Sequence, residues 1–161
     1  MIKVYIKYHD KNLEKIEAHG CWIDLRSSKS YNIPNGQSKL IDLGVSMKLP
    51  KYFQACIVPR SSTFKNYGLI MLNHMGIIDG GDKESDGYSG NNDKWYFNGF
   101  ALTSFAKISK NDRICQFEIR PSMFAPWYIK LKWLLNNKIK FIEVDDLKSS
   151  DRGGFGTTGK N

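Results

Sequence analysis

Ile2-Lys3-Val4-Tyr5-Ile6-Lys7-Tyr8 alternates Ile2, Val4 and Ile6 with Lys3, Tyr5 and Lys7. That is the two-residue period of a strand with one buried and one wet face. Comparable short runs recur at 39–47, 53–58, 68–72, 95–102, 114–119 and 140–144. Turn signals separate them: Pro34-Asn35-Gly36, Leu49-Pro50, Gly80-Gly81 and Lys110-Asn111-Asp112. Many short strands with polar turns predict an all-β domain, a sandwich or jelly-roll barrel. One stretch departs from this pattern. Trp127, Leu131, Leu134 and Leu135 fall at i, i+4, i+7 and i+8, which predicts a short amphipathic helix over 126–137. That stripe is the face expected to pack on the domain.

The 161 residues suffice for one domain burying roughly 70% of its unfolded surface. Residues 1–150 are read as that β domain and 151–161 as a flexible Gly-rich lid. No run approaches the roughly 20 apolar residues of a membrane span, and no signal-peptide core follows Met1, so a cytoplasmic protein with no membrane partner is expected. Cys21, Cys56 and Cys115 are widely spaced and read as buried free thiols. His9, His19 and His74 have no metal-ligand spacing. The net charge of +8 points to an anionic partner. DNA, RNA and a nucleoside triphosphate all qualify, although the lysines are scattered and lack the basic blocks interleaved with aromatics of a nucleic-acid face.

The tail, Asp151-Arg152-Gly153-Gly154-Phe155-Gly156-Thr157-Thr158-Gly159-Lys160-Asn161, carries four glycines within seven residues. Such a segment forms no stable helix or packed strand by itself. It offers free N–H groups, two hydroxyls, an Arg and one aromatic face, which suit closure over a nucleotide. A plain polar terminus has the same composition.

Four further clusters precede the tail: Gly20-Cys21-Trp22-Ile23-Asp24-Leu25; Val58-Pro59-Arg60-Ser61-Ser62; Leu72-Asn73 running to Gly76-Ile77-Ile78-Asp79, with Tyr88 and Gly90 beyond; and Asp112-Arg113-Ile114-Cys115-Gln116. With the tail, they resemble the five ordered motifs of the trimeric dUTPase (dUTP pyrophosphatase) family. The stretches Pro59-Arg60-Ser61-Ser62-Thr63-Phe64-Lys65-Asn66 and Asn92-Asp93-x-Trp95 are similar to its bacterial and phage subgroup. The resemblance implies a jelly-roll-like barrel and a homotrimer with shared active sites. It implies hydrolysis of dUTP to dUMP and pyrophosphate, by water attack on the α-phosphate with Mg²⁺.

By the same resemblance, Asp79 is the general base and Gln116 belongs to the catalytic set. Arg60, Ser61, Ser62, Arg152, Thr157 and Thr158 serve the phosphates. The hairpin of Asn73, Gly76 and Ile78 reads uracil, Tyr88 packs under deoxyribose, Phe155 with Gly156 covers the base, and Asp24 reaches the metal through water. Taken alone, Asp79 reads equally well as a turn residue and Tyr88 as a packing residue.

Three departures stand out. The family spaces Asp and Tyr as Asp-x-x-Tyr, whereas here residues 80–87 intervene, six more. That leaves Asp86 as a rival base, although a Gly-rich insert at a hairpin tip is expected to bulge outward. Arg152 lies only three residues before Phe155, so its reach to the phosphates is open. The stretch 122–140 is longer than the family's usual linker. The resemblance leaves two alternatives: a dCTP deaminase of the same superfold, or a dUTPase-like protein that regulates a protein partner through the insert and the helix. For a phage-encoded chain, the compartment would be the host cytoplasm.

Overall fold

The computed structural model describes residues 1–17, 20–103 and 105–154. Eleven strands and two helices follow in the order β1 (Ile2–Tyr8), β2 (Ile23–Arg26), β3 (Tyr31–Ile33), β4 (Ser38–Lys48), β5 (Phe53–Pro59), α1 (Thr63–Tyr67), β6 (Leu69–Met71), β7 (Gly76–Asp79), β8 (Lys94–Ala101), β9 (Ala106–Ile108), β10 (Arg113–Pro121), α2 (Trp127–Leu135) and β11 (Ile139–Glu143). They build a five-stranded sheet, β11-β1-β4-β8-β6, a four-stranded sheet, β2-β10-β5-β7, and a small β3-β9 pair. This is the expected jelly-roll-like all-β architecture, with sheets that do not close on themselves.

The alternation of β1 does what its sequence implies: Ile2, Val4 and Ile6 are buried while Lys3 and Tyr5 face out. β8 alternates in the same way, sending Trp95, Phe97 and Ala101 into the core and Lys94, Tyr96 and Asn98 to the opposite face. Trp95 meets Phe117 of β10 edge-to-face at 5.3 Å between centroids, so the two large sheets share one core. Such a pair contributes about 0.5–1.5 kcal/mol beyond its burial. Four strands, β2, β3, β7 and β9, fall outside the predicted runs. Each has three or four residues, too few for a period to register. The one-turn helix α1 was also not predicted, although Ser62 at its N-cap and Gly68 in the left-handed region (φ 64°) after it frame it as helix ends usually are.

α2 forms where the helical period places it, but it turns the other side inward. Ile129 and Trp133, at i and i+4, pack on the core, Trp133 edge-on to Phe53 at 5.7 Å. The predicted stripe of Trp127, Leu131, Leu134 and Leu135 stays exposed, along with the neighbouring Met123 and Phe124. The helix carries apolar residues on two sides, and the sequence period finds only the denser one. The cysteines also split: Cys56 and Cys115 are buried and Cys21 is exposed. Burial pushes the Cys115 thiol far above its ordinary range, which keeps it an inert packing group. Among the described residues, no helix is long and apolar enough to cross a membrane.

His9 yields a test of the fold. Its Nε2 lies 2.8 Å from Ser46 Oγ. Burial, with Lys94 and Lys7 nearby and only Asp42 opposing, lowers its pKa below 6.5. The unfolded chain therefore takes up the proton first, so the stabilisation is present above pH 6.5 and fades as pH falls through the folded-state value. Denaturant melts from pH 8 to pH 5 are expected to show a steeper acid loss for the wild type than for His9→Gln. Parallel curves would exclude His9 as a contributor.

Candidate functional site

β7 is the outer strand of its sheet, paired only through β5, with Gly76 opposite Ile57 and Asp79 opposite Gln54. Its far edge therefore carries backbone N–H and C=O groups that no strand of this sheet takes up. Beside it opens a cleft of about 470 Å³ lined by Asn73, Gly76, Ile78, Asp79, Tyr88 and Arg152, among others. The wet face of β8 supplies the facing wall with Lys94, Tyr96 and Asn98, a direct consequence of that strand's alternation. The 72–75 turn is held by Leu72 N–H to Asn98 O at 3.0 Å and by Asn98 Nδ2 to Asn73 Oδ1 at 3.3 Å. Such a cleft suits a flat polar ring read by backbone groups, with an aromatic wall beneath its neighbour.

The insert bulges outward as expected. Tyr88 N–H donates to Asp79 C=O at 2.8 Å, joining the residues on either side of 80–87 as if the loop were absent. Gly81 (φ 79°) and Gly87 (φ 69°) face each other at this pinch, where a Cβ on Gly87 would collide with Gly81 N and Asp79 O. Beyond it, Asp82 caps its own turn by accepting from Glu84 and Ser85 N–H. Asp86 pairs with Lys51 at 3.6 Å and is not among the residues lining the cleft.

Within the cleft, Tyr88 Oη donates to Lys94 O at 2.8 Å. Burial first, and then the charge of Asp93 and the neighbouring Tyr96, push its pKa up to about 12, so the phenol stays a neutral wall. Asp79 Oδ1 accepts Gly81 N–H at 2.9 Å and its Oδ2 takes Arg152 Nη1 at 2.9 Å. Arg152 thus reaches the cleft of its own chain, but lies on a carboxylate. Gly154 lies beside the Tyr88 ring, which a Cβ there would meet at 3.2 Å. Phe155, Gly156, Thr157 and Thr158 lie outside the described residues.

The second group of predicted residues forms a separate cluster. Asp24 of β2 lies opposite Gln116 of β10, which lies opposite Val58 of β5. Arg60 Nε approaches Asp24 Oδ1 at 2.7 Å and Arg113 Nη1 approaches Oδ2 at 3.2 Å, so one carboxylate holds two guanidinium groups. Thr63 fixes the loop between them, accepting Arg60 N–H at 2.9 Å and donating to Ile114 O at 2.7 Å. Ser61 and Ser62 lead into α1 at the same corner. None of Asp24, Arg60, Ser61, Ser62 or Gln116 lines the cleft.

The ladder register shows how far apart the two groups lie. Gln116 sits across from Val58, and Asp79 across from Gln54. Four positions along β5 and two strand spacings separate them, roughly 16 Å between Cα atoms. Sequence reasoning quotes Asp93 in Asn92-Asp93-x-Trp95 but gives it no role. Its carboxylate is 1% exposed and accepts N–H groups from Gly90, Arg152 and Gly153 at 2.9 Å each. The signal was there: an acid within a Gly-Asn-Asn-Asp turn beside the cleft-forming strand.

A family model described as dUTPase matches residues 20–122. The SPbeta prophage-derived deoxyuridine 5'-triphosphate nucleotidohydrolase YosS of Bacillus subtilis is 42% identical over 98% of this chain and 99% of its own length. The fold is similar to a mutant dUTPase of Staphylococcus bacteriophage 80alpha with dUpNHpp (TM-score 0.62, 18% identity, 76% of this chain and 92% of that one). It is equally similar to a mutant dUTPase of S. aureus phage phi11, described with a structural Mg(II) ion (TM-score 0.62, 14% identity, 76% and 92%).

The pinch predicts that the loop is dispensable for folding. Deleting residues 81–86 leaves Asp79-Gly80-Gly87-Tyr88 to turn directly, and loop shortening changes closure entropy by only about 0.6 kcal/mol per halving. Thermal melts followed by circular dichroism are expected to stay cooperative, with Tm within about 5 °C of the wild type. A non-cooperative melt would show that the insert supports the core.

Proposed function

This chain belongs to the dUTPase family and is an enzyme of that kind, and we propose that it cleaves dUTP to dUMP and pyrophosphate in a cleft whose catalytic base is Asp79. The observation that carries this assignment is the backbone bond between Asp79 and Tyr88, which restores the family's short spacing across the insert and leaves Asp86 outside. Water attacks the α-phosphorus, Asp79 accepts its proton, and the bond to the bridging oxygen breaks as pyrophosphate leaves. A positioned carboxylate base contributes roughly 10²–10⁴-fold.

Uracil lies along the open edge of β7, where Gly76 puts no side chain in the way and Ile78 and Asn73 border the base. Tyr88 lies under the sugar and leaves no room for a 2′-hydroxyl. Mg²⁺ arrives as part of the substrate, Mg·dUTP, and neutralises the triphosphate. Asp24, which here holds Arg60 and Arg113, would reach the ion through a metal-bound water. Arg60, Ser61, Ser62 and Gln116 supply donors to the phosphates. At roughly 16 Å from Asp79, Gln116 reaches the same α-phosphate only from another copy of the chain. This supports a homotrimer with sites shared between subunits, working in the host cytoplasm if a phage encodes it.

The exposed Trp127, Leu131 and Leu134 face of α2 favours a second role, control of a protein partner. Wild-type hydrolysis with no loss on Trp127→Ala, together with loss of partner capture, would separate that role from catalysis.

Pyrophosphate release is expected from dUTP and not at comparable rates from dCTP, dTTP or UTP; ammonia from dCTP would instead mean a deaminase. Asp79→Asn is expected to lose at least about 100-fold in kcat while still binding dUTP, and Asp86→Asn to stay active. The reverse pattern would move the base to the insert.

Truncation after Gly154 removes the lid residues Phe155, Gly156, Thr157 and Thr158 and is expected to cost at least about tenfold in kcat/KM. Trimers mixing Gln116→Ala and Asp79→Asn chains are expected to regain activity, because a shared site can pair Asp79 of one chain with Gln116 of another. Mixed trimers of verified mass that stay inactive would refute the sharing.

A further inference from the structure

Two short segments hold each other beside the cleft. From the 90–93 turn, Asn92 donates twice to Asp151, through its N–H to Oδ1 at 2.8 Å and its Nδ2 to Oδ2 at 2.7 Å. From the tail, the Arg152 and Gly153 N–H groups donate to Asp93, at 2.9 Å each, with a second Arg152 contact at 3.2 Å. The Asp93 carboxylate also receives Gly90 N–H at 2.9 Å. A Cβ on Gly90 would overlap Asp151, so the two segments touch through bare backbone. A carboxylate removed from water is costly unless N–H donors replace its hydration, and here two of its three donors come from the tail. The tail root is therefore what satisfies this buried charge.

Building on the proposed function, we propose that Asp93 is a positioning residue that anchors the tail root to the rim of its own chain's cleft, setting Arg152 on Asp79 and Gly154 beside the Tyr88 ring. The anchor acts on the backbone, so it leaves the Arg152 side chain free to turn. The guanidinium can leave Asp79 Oδ2 for an incoming phosphate while residues 152 and 153 stay in place.

Trypsin cleavage after Arg152, followed by mass on the full-length protein without nucleotide, reads the anchor directly. In Asp93→Asn, which keeps the side-chain volume but turns one acceptor into a donor, cleavage there is expected to accelerate at least about tenfold, while cleavage at sites in the body stays unchanged. KM for dUTP is expected to rise by a similar factor with a smaller change in kcat. Asp151→Ala, at the exposed end of the clamp, is expected to shift both readouts in the same direction by a smaller factor, and it decides the matter if Asp93→Asn does not fold. Folded Asp93→Asn with unchanged cleavage after Arg152 would overturn the anchor, as would faster cleavage throughout the body or an Asp151→Ala protein indistinguishable from wild type. Because cleavage is read without substrate, a wild type that fails to hydrolyse dUTP would refute the proposed function alone.

Discussion

The site depends on β5 lying between β7 and β10 in one fixed register. That strand pairs Ile57 with Gly76 and Gln54 with Asp79 on one side, and Val58 with Gln116 on the other. A slip by one residue would turn Ile78 out of the core and Asp79 inward, so the hydrophobic pattern protects the position of the acid. The same register puts the open edge of β7 and the Arg60 corner on the same sheet, roughly 16 Å apart. That spacing supports the proposed sharing of one site between copies of the chain.

Under the proposed function, an incoming triphosphate meets guanidinium groups that already have partners. Arg60 and Arg113 share Asp24, and Arg152 rests on Asp79. These side chains are a quarter to a half exposed, where an ion pair is worth about 0–1 kcal/mol. Handing a guanidinium from a carboxylate to a phosphate therefore costs little. The buried Asp93 differs: its bonds are to backbone N–H groups and are shielded from water, which suits the anchoring role proposed for it.

The two additions to the compact pattern, the 80–87 insert and α2, differ in physical character. The insert is polar and turned outward over 82–86, while its base is held by Tyr88 N–H to Asp79 O, Gly80 N–H to Phe53 O and Tyr52 N–H to Gly81 O, so its tip adds little to the fold. α2 is fastened by Ile129 and Trp133 and leaves Trp127, Leu131, Leu134 and Leu135 in solvent. So much apolar surface on one short helix is unusual for a chain acting alone.

The sequence by itself determined the strand-rich class, the buried faces of β1 and β8, the place of α2, and the short motifs that hold Asp79, Tyr88, Arg60 and Gln116. Those properties are local: a two-residue period, a helical period, or residue types grouped in short motifs. Only the tertiary structure decided that Tyr88 bonds to Asp79 across eight residues, which excludes Asp86 from the cleft, because that bond depends on where two distant chain directions cross. It also decided which side of α2 packs, since both sides are apolar and the core accepts the one that fits Phe53. And it revealed Asp93, whose role arises from donors some sixty positions away along the chain, brought close only by folding.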